Sequence, residues 1–432
     1  MTKSKQWIAA GVTGLALAVA GIGSAGAQQK ELRIAYQPNP IQEASIDMMI
    51  KWGKANDVKI VKVPNSYGVY VEKMTASLTS GSDQYDVIWN NDDWGQLWAH
   101  LLEPMDDVEG LKLADPWGID PIIFNNKDGK PTTVPIGHTS TVFFYRTDLI
   151  EESELPKTWD DMRKISQKLQ SEGKVKWGFA GGMAMNSTWG TWFWTTWTNN
   201  CDVLAPVFER DNAVLAQNGW KSMMDQPCMR PGVEFWWDAI NTYKISPPGM
   251  PSYGRNEGNA VFTSGEAAFT TADSVYWGDF NNPAKSKVAG KIGVAFYPLG
   301  PDRDDAFAFN DIWGWSIPKT IPEERKQLAK KMLSDMMSDE EGQIELWKKT
   351  GAPPPNKALW DKIAQDDSFM RDLKRVALDV PRKNHSGYYF EQWPAVHKAF
   401  SDAVIKAVTG KRDDIPKALA EGAVNVHKAA AN

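Results

Sequence analysis

Cysteine is scarce, with two residues in 432, Cys201 and Cys228. The five histidines, His100, His138, His385, His397 and His427, show no His-Glu-x-x-His spacing, so no metal site and no cofactor are expected. Runs of basic residues are missing as well. A mildly acidic balance, 54 Asp and Glu against 48 Lys and Arg, argues against nucleic acid and anionic membrane surfaces as partners. The Gly-x-Ser-x-Gly turn of a serine hydrolase is absent. Beyond the N-terminus no stretch approaches the roughly 18 uninterrupted apolar residues of a membrane span. There is no internal repeat and no low-complexity linker.

What is present begins at the N-terminus. Lys3 and Lys5 precede an apolar, Ala- and Gly-rich run from Ile8 to Gly23, and Ala25-Gly26-Ala27 has the small-x-small form of a peptidase site. The run is too short to span a bilayer, and the pattern is that of a secretory signal peptide over residues 1–27. Cleavage after Ala27 would leave an exported, periplasmic chain whose charge falls from −6 to −8 with the loss of Lys3 and Lys5. The length remaining exceeds a usual single core, which predicts two lobes. In an oxidising compartment Cys201 and Cys228 are expected to form a disulfide.

Tryptophan is the compositional outlier, with 21 residues. Most are expected in the core, where a large ring buries well. Several, however, stand beside Asn, Asp, Ser and Thr in loop-like stretches. Sugars present apolar C–H faces together with rings of hydroxyls. A site for them needs flat aromatic platforms next to fixed donors and acceptors.

Hydrophobic spacing predicts strands at 31–36, 58–63 and 85–89, with helices at 41–56, 69–78 and 94–102 between and after them. This β-α rhythm implies α/β architecture and a mostly parallel sheet, in which ligands bind where strands hand over to helices. Asn90, Asn91, Asp92 and Asp93 occupy such a turn. One Asn or Asp suffices for a helix N-cap, and four in a row favour a ligand contact. Later, strands are expected at 132–136 and 141–146 around a 137–140 link. Thr158 with Asp161 reads as a capping box opening a helix. From Pro322 the chain reads as mainly helical.

In this order the stretches ELRIAYQPNP, YDVIWNNDDWGQLWAHLLEPMDD, VPIGHTSTVFFYRTDLI, LPKTWDDM, GEAAFTTADSVYWG, FNDIWGWSIPK and SDEEGQIELWKKTGAPPPN resemble the periplasmic carbohydrate-binding proteins of ABC importers, the group that includes maltose-binding protein. The resemblance covers nearly the whole mature chain. It implies a two-lobed periplasmic-binding-protein fold of mixed, mostly parallel sheets flanked by helices, with a ligand cleft between the lobes. The implied crossings fall near Gly137–His138, Asn310–Asp311 and Pro353–Asn356. Residues 28–137 and 311–355 would form the N-terminal lobe, and 138–310 with 356–432 the C-terminal lobe. The implied role is that of a monomer that binds a sugar or polyol by hinge closure and delivers it to the permease subunits in the inner membrane.

Matching stretches carry over the binding residues Gln37, Asn39, Asn90, Asp93, Trp94, His138, Thr139, Asn186, Trp189, Asp273, Trp277, Asn310, Asp311, Trp313, Arg382 and Tyr388. Carboxylates would accept hydroxyl hydrogens and Trp rings would stack on sugar faces. The competing reading of Trp277 and Trp313 is core packing, and of His138 a satisfied structural histidine. The rival function is an exported carbohydrate-active enzyme, a glycosidase, with Asp93 and Asp273 as a carboxylate pair. No short motif places its acid or nucleophile.

Overall fold

Alternating apolar residues set the first strand, β1 (Lys30–Tyr36), with Leu32, Ile34 and Tyr36 buried. The helix Pro40–Ala55 follows, and the Asn39 side chain accepts the Gln42 N–H as its N-cap. β2 (Val58–Pro64) pairs with β1 in parallel, the helix Tyr67–Thr79 packs next, and β3 (Val87–Asn91) runs parallel to β1 on its other side. The β-α rhythm read from spacing is therefore present. The computed structural model describes residues 29–114, 124–302, 307–380, 382–384 and 390–432. The expected leader and Tyr388 lie outside them, as do the side chains of Asn186 and Arg382.

Two local differences matter for the site. β3 runs on through Asn90 and Asn91, so the turn is shorter than the polar cluster suggested. The helix after it is one turn, Gly95–Trp98, continued by a 3-10 turn at Ala99–Leu101. Where two strands were expected at 132–136 and 141–146 around a link, residues 134–146 form one long strand, β4 (Val134–Arg146). Its sequence is largely apolar or Thr- and Ser-containing, and pairing with β8 keeps Gly137 in the strand despite a register shift between Pro135 and Gly137.

β5 (Trp177–Phe179), β6 (Ala267–Asp273), β7 (Ile292–Ala295), β8 (Phe307–Ser316) and β9 (Arg382–Asn384) complete a mixed sheet in the order β2-β1-β3-β8-β4-β6-β5, with β7 on β4 and β9 on β8. The parallel pairs are β1–β2, β1–β3, β5–β6 and β8–β9. The antiparallel ladders centre on β4 and β8, which run side by side from Thr141–Phe309 to Val134–Trp315. Gly314 is needed at this crossing, since a Cβ there would sit 2.3 Å from the Val134 carbonyl oxygen. His138 N–H donates to the Pro353 carbonyl at 2.9 Å, which brings the 353 region beside the β4–β8 ladder.

Buried apolar side chains form two clusters, and ten tryptophans are among the largest fully buried side chains, so much of the tryptophan excess is core. The helix Glu323–Ser338 is tied back to β1 through Asp86, whose fully buried carboxylate accepts from Arg33 Nε at 3.1 Å and Arg325 Nη1 at 2.7 Å. Burial pushes the Asp86 carboxyl up, and the Arg33 contacts oppose that push. Thr158 and Asp161 form the expected capping box. Cys201 and Cys228 are joined in a disulfide. Among the described residues no helix is long and apolar enough to cross a membrane.

Candidate functional site

Side chains alternate faces along a strand, and residues opposite one another in a ladder share a face. Thr139 lies opposite Asp311, Thr141 opposite both Phe309 and Asp273, and Gly137 opposite Trp313. Thr139, Thr141, Asp273, Asp311 and Trp313 therefore share one face of the sheet. Thr141 Oγ1 donates to Asp273 Oδ1 at 2.8 Å. The Thr139 hydroxyl is fully buried and has no hydrogen-bond partner among the described residues.

Asp93 reaches this group from the end of β3. The short turn is closed by Asn91, whose Oδ1 accepts the Asp93 N–H at 3.0 Å, so the side-chain bond that closes the turn belongs to Asn91. The Asp93 carboxylate is left to accept from Trp393 Nε1, 300 residues away, at 3.2 Å. Burial, and then the charge of Asp311, push the Asp93 carboxyl up to about 8, while the Trp393 hydrogen bond and Arg255 oppose the shift. At neutral pH Asp93 thus holds a proton beside Asp311, and it can donate as well as accept.

Arg255 supplies the cation. Its Nη2 lies 3.0 Å from Asp273 Oδ2, and its guanidinium sits 5.8 Å from the Tyr276 ring and 5.9 Å from the Trp313 ring. It opens the helix Arg255–Thr263, where a positive charge opposes the helix dipole, so the Asp273 pair offsets a local cost. A cavity of about 150 Å³ beside it is lined by Gln37, Pro38, Asn39, Arg255, Asn256, Glu257 and Tyr276. Trp393 is held from behind by His397, whose ring stacks on Trp393 at 5.5 Å and on Trp189 at 4.4 Å. His397 Nε2 is 2.7 Å from Thr188 Oγ1, and burial pulls its pKa down to about 3, leaving a neutral ring.

The remaining sequence candidates sit elsewhere. Asn90 points to the opposite face, where its Nδ2 donates to Thr133 Oγ1 at 2.9 Å and Ser316 Oγ at 3.2 Å. Asn310 is on that same face, bonded to Ser140 and to the Ala377 carbonyl at 3.1 Å. His138 is there too, edge-on to Trp360 at 6.0 Å. Trp277 stacks flat on Phe369 at 3.8 Å, which matches its core-packing reading. The Trp94 ring meets Tyr70 and Trp98. Asn39 lines the cavity yet spends its Oδ1 on its helix cap.

Arg255, Tyr276 and Trp393 did not stand out in the sequence. Arg255 follows a glycine in a polar stretch, and nothing local ties it to Asp273. Trp393 precedes a proline at a helix start, which signals the helix and says nothing of its partner. Among the described residues, no group of three or more His, Cys, Asp or Glu is arranged to hold a metal ion.

Residues 37–344 match the family model described as bacterial extracellular solute-binding protein. A mannitol-binding protein of Pseudomonas aeruginosa is 25% identical over 309 residues, 66% of this chain and 62% of that protein. The sn-glycerol-3-phosphate-binding periplasmic protein UgpB of Brucella melitensis is 24% identical over 311 residues, 67% of this chain and 65% of that protein. The match thus spans under two thirds of each of these curated relatives. In fold the chain is similar to maltose-bound MalE3 of T. maritima, with a TM-score of 0.77 at 21% identity over 91% of this chain and 99% of that one. The architecture is accordingly the two-lobed α/β fold of periplasmic binding proteins, and the chain belongs to the bacterial extracellular solute-binding protein family.

Proposed function

We propose that this protein is the substrate-binding component of an ABC importer and that it captures a sugar or polyol between its lobes. The observation that carries the reading is the group of buried Asp93, Asp273 and Asp311 with part-buried Arg255, and Trp313 and Trp393 around it. Carboxyls and a guanidinium fix hydroxyls, and indole rings cover C–H faces. The group draws on both proposed lobes. Asp93, Asp311 and Trp313 come from residues 28–137 and 311–355, while Arg255, Asp273 and Trp393 come from 138–310 and 356–432. Ligand bound there would favour the closed arrangement over the open one, and a permease would read the closed form.

In this reading Gln37, Asn39, Thr139 and Trp189 complete the surroundings, Asn186, Arg382 and Tyr388 remain candidates, and Asn90, His138, Asn310, Trp94 and Trp277 hold the scaffold. The mature protein would work as a periplasmic monomer after cleavage at Ala27. Membership in a solute-binding family sets aside the glycosidase alternative.

A thermal-shift screen over neutral sugars and polyols tests this function, because a ligand specific to the native state raises its melting temperature by mass action. A saturable rise with at least one member is expected. No rise with any member, including polyols and mono- and disaccharides, would refute it.

A further inference from the structure

We infer that the site selects an uncharged polyhydroxylated ligand over its phosphorylated or carboxylated counterpart, and that the Asp273–Arg255 pair is the device that enforces the choice. The inference rests on the sugar or polyol reading above and narrows it. The family relatives alone do not decide the point, since one is named for mannitol and another for a glycerol phosphate.

Asp273 pairs with Arg255, the charges of Arg255 and Asp311 both act on Asp93, and Glu257 adds a fourth acid at the cavity wall. Arg255 is the natural anchor for a phosphate or carboxylate, because its planar fork matches their geometry. Here that fork is engaged. Asp273 holds Nη2 at 3.0 Å, and Tyr276 and Trp313 flank the guanidinium. Asp273 is itself fixed by Thr141 Oγ1 at 2.8 Å on the neighbouring strand, so it does not swing aside to release Arg255. An incoming anion would face a committed cation with the Asp311 carboxylate close by, and like charges so placed oppose its binding.

The groups that a neutral polyol needs are in place. The buried Thr139 hydroxyl, without a partner among the described residues, shares the face of Asp311 and Asp273 and supplies a donor and acceptor for a ligand hydroxyl.

The test is calorimetric titration with matched pairs: D-mannitol and mannitol 1-phosphate, glycerol and sn-glycerol 3-phosphate, D-glucose and D-gluconate, maltose and maltobionate. The wild type is expected to bind the neutral member of at least one pair about a hundredfold more tightly than the anionic member. Asp273→Asn frees Arg255 and is expected to raise affinity for the anionic member at least about tenfold, a gain that misfolding cannot produce. Arg255→Met in the Asp273→Asn background should abolish the gain. Wild-type protein that binds an anionic member as tightly as its neutral partner would overturn the inference while leaving capture of a polyol intact. So would an unchanged ratio in Asp273→Asn. Failure of every member, charged or neutral, would remove the sugar or polyol reading and this inference with it.

Discussion

Replacing Asp93 by Asn keeps the shape of the side chain and an oxygen for Trp393 Nε1, but removes the ionisation. In the folded protein the Asp93 carboxyl holds its proton up to about pH 8, through burial first and the charge of Asp311 second. In the unfolded chain it would titrate near the ordinary value of about 3.9. Between these values the folded state carries a proton that the unfolded state has lost. A raised folded-state pKa therefore contributes stability that is fully present below about pH 4 and is lost as pH rises toward 8. The slope is at most about 1.4 kcal/mol per pH unit, which gives an upper bound on the order of 5 kcal/mol over the window.

Other carboxylates act in the opposite sense at lower pH. Hydrogen bonds from Arg146 hold Asp148 below the usual range, and those from Lys164 and Arg163 do the same for Asp160. Comparison of the two proteins isolates Asp93. Denaturant unfolding of ligand-free wild type and Asp93→Asn at pH 5 and pH 8.5 should show the variant gaining on the wild type by a few kcal/mol as pH rises. A stability difference that stays constant across this range would refute a buried, proton-holding Asp93.

The disulfide closes a loop over a sequence separation of 27, so Cys201→Ser with Cys228→Ser should lose roughly 3.5 kcal/mol in denaturant unfolding. Asp86→Ala leaves Arg33 and Arg325 facing each other across a buried gap and should cost about 3 kcal/mol, read as a fall in melting temperature with ligand affinity retained. Intact mass of the exported protein should match a chain that starts at Gln28 and lacks the segment from Met1 to Ala27; retention of that segment would reject the leader reading.

The first four elements were legible because their apolar residues follow periods of 2 and 3.6, as in β1 and the helix Pro40–Ala55. The extent of β3 was not legible, because Asn90 and Asn91 are turn formers by propensity. Their pairing with Gly314 and Trp313 overrides that preference. The same holds for residues 137–140, where β8 keeps a Gly- and Ser-containing stretch in one strand.

Which polar residues could meet on one face followed from strand parity. Once β4 and β8 are single strands, Thr139, Asp311 and Trp313 separate from His138 and Asn310 by the period of 2 alone. Reading a link in place of a strand hid that division. Arg255 and Trp393 were illegible for a different reason. Their partners, Asp273 and Asp93, are joined to them only by tertiary contact, and no spacing rule reaches from 93 to 393.

The most direct test of capture at this site takes a neutral ligand found in the thermal-shift screen and titrates it into wild type and Asp93→Ala. Removing one partner of a buried hydrogen bond costs about 1–3 kcal/mol, so the variant should bind roughly 5- to 150-fold more weakly. Because Asn91 closes the turn at 3.0 Å, the ligand-free melting temperature should hold or rise at neutral pH. Affinity within about twofold of wild type, together with a lowered melting temperature, would mean that Asp93 serves the fold and that the ligand is held elsewhere.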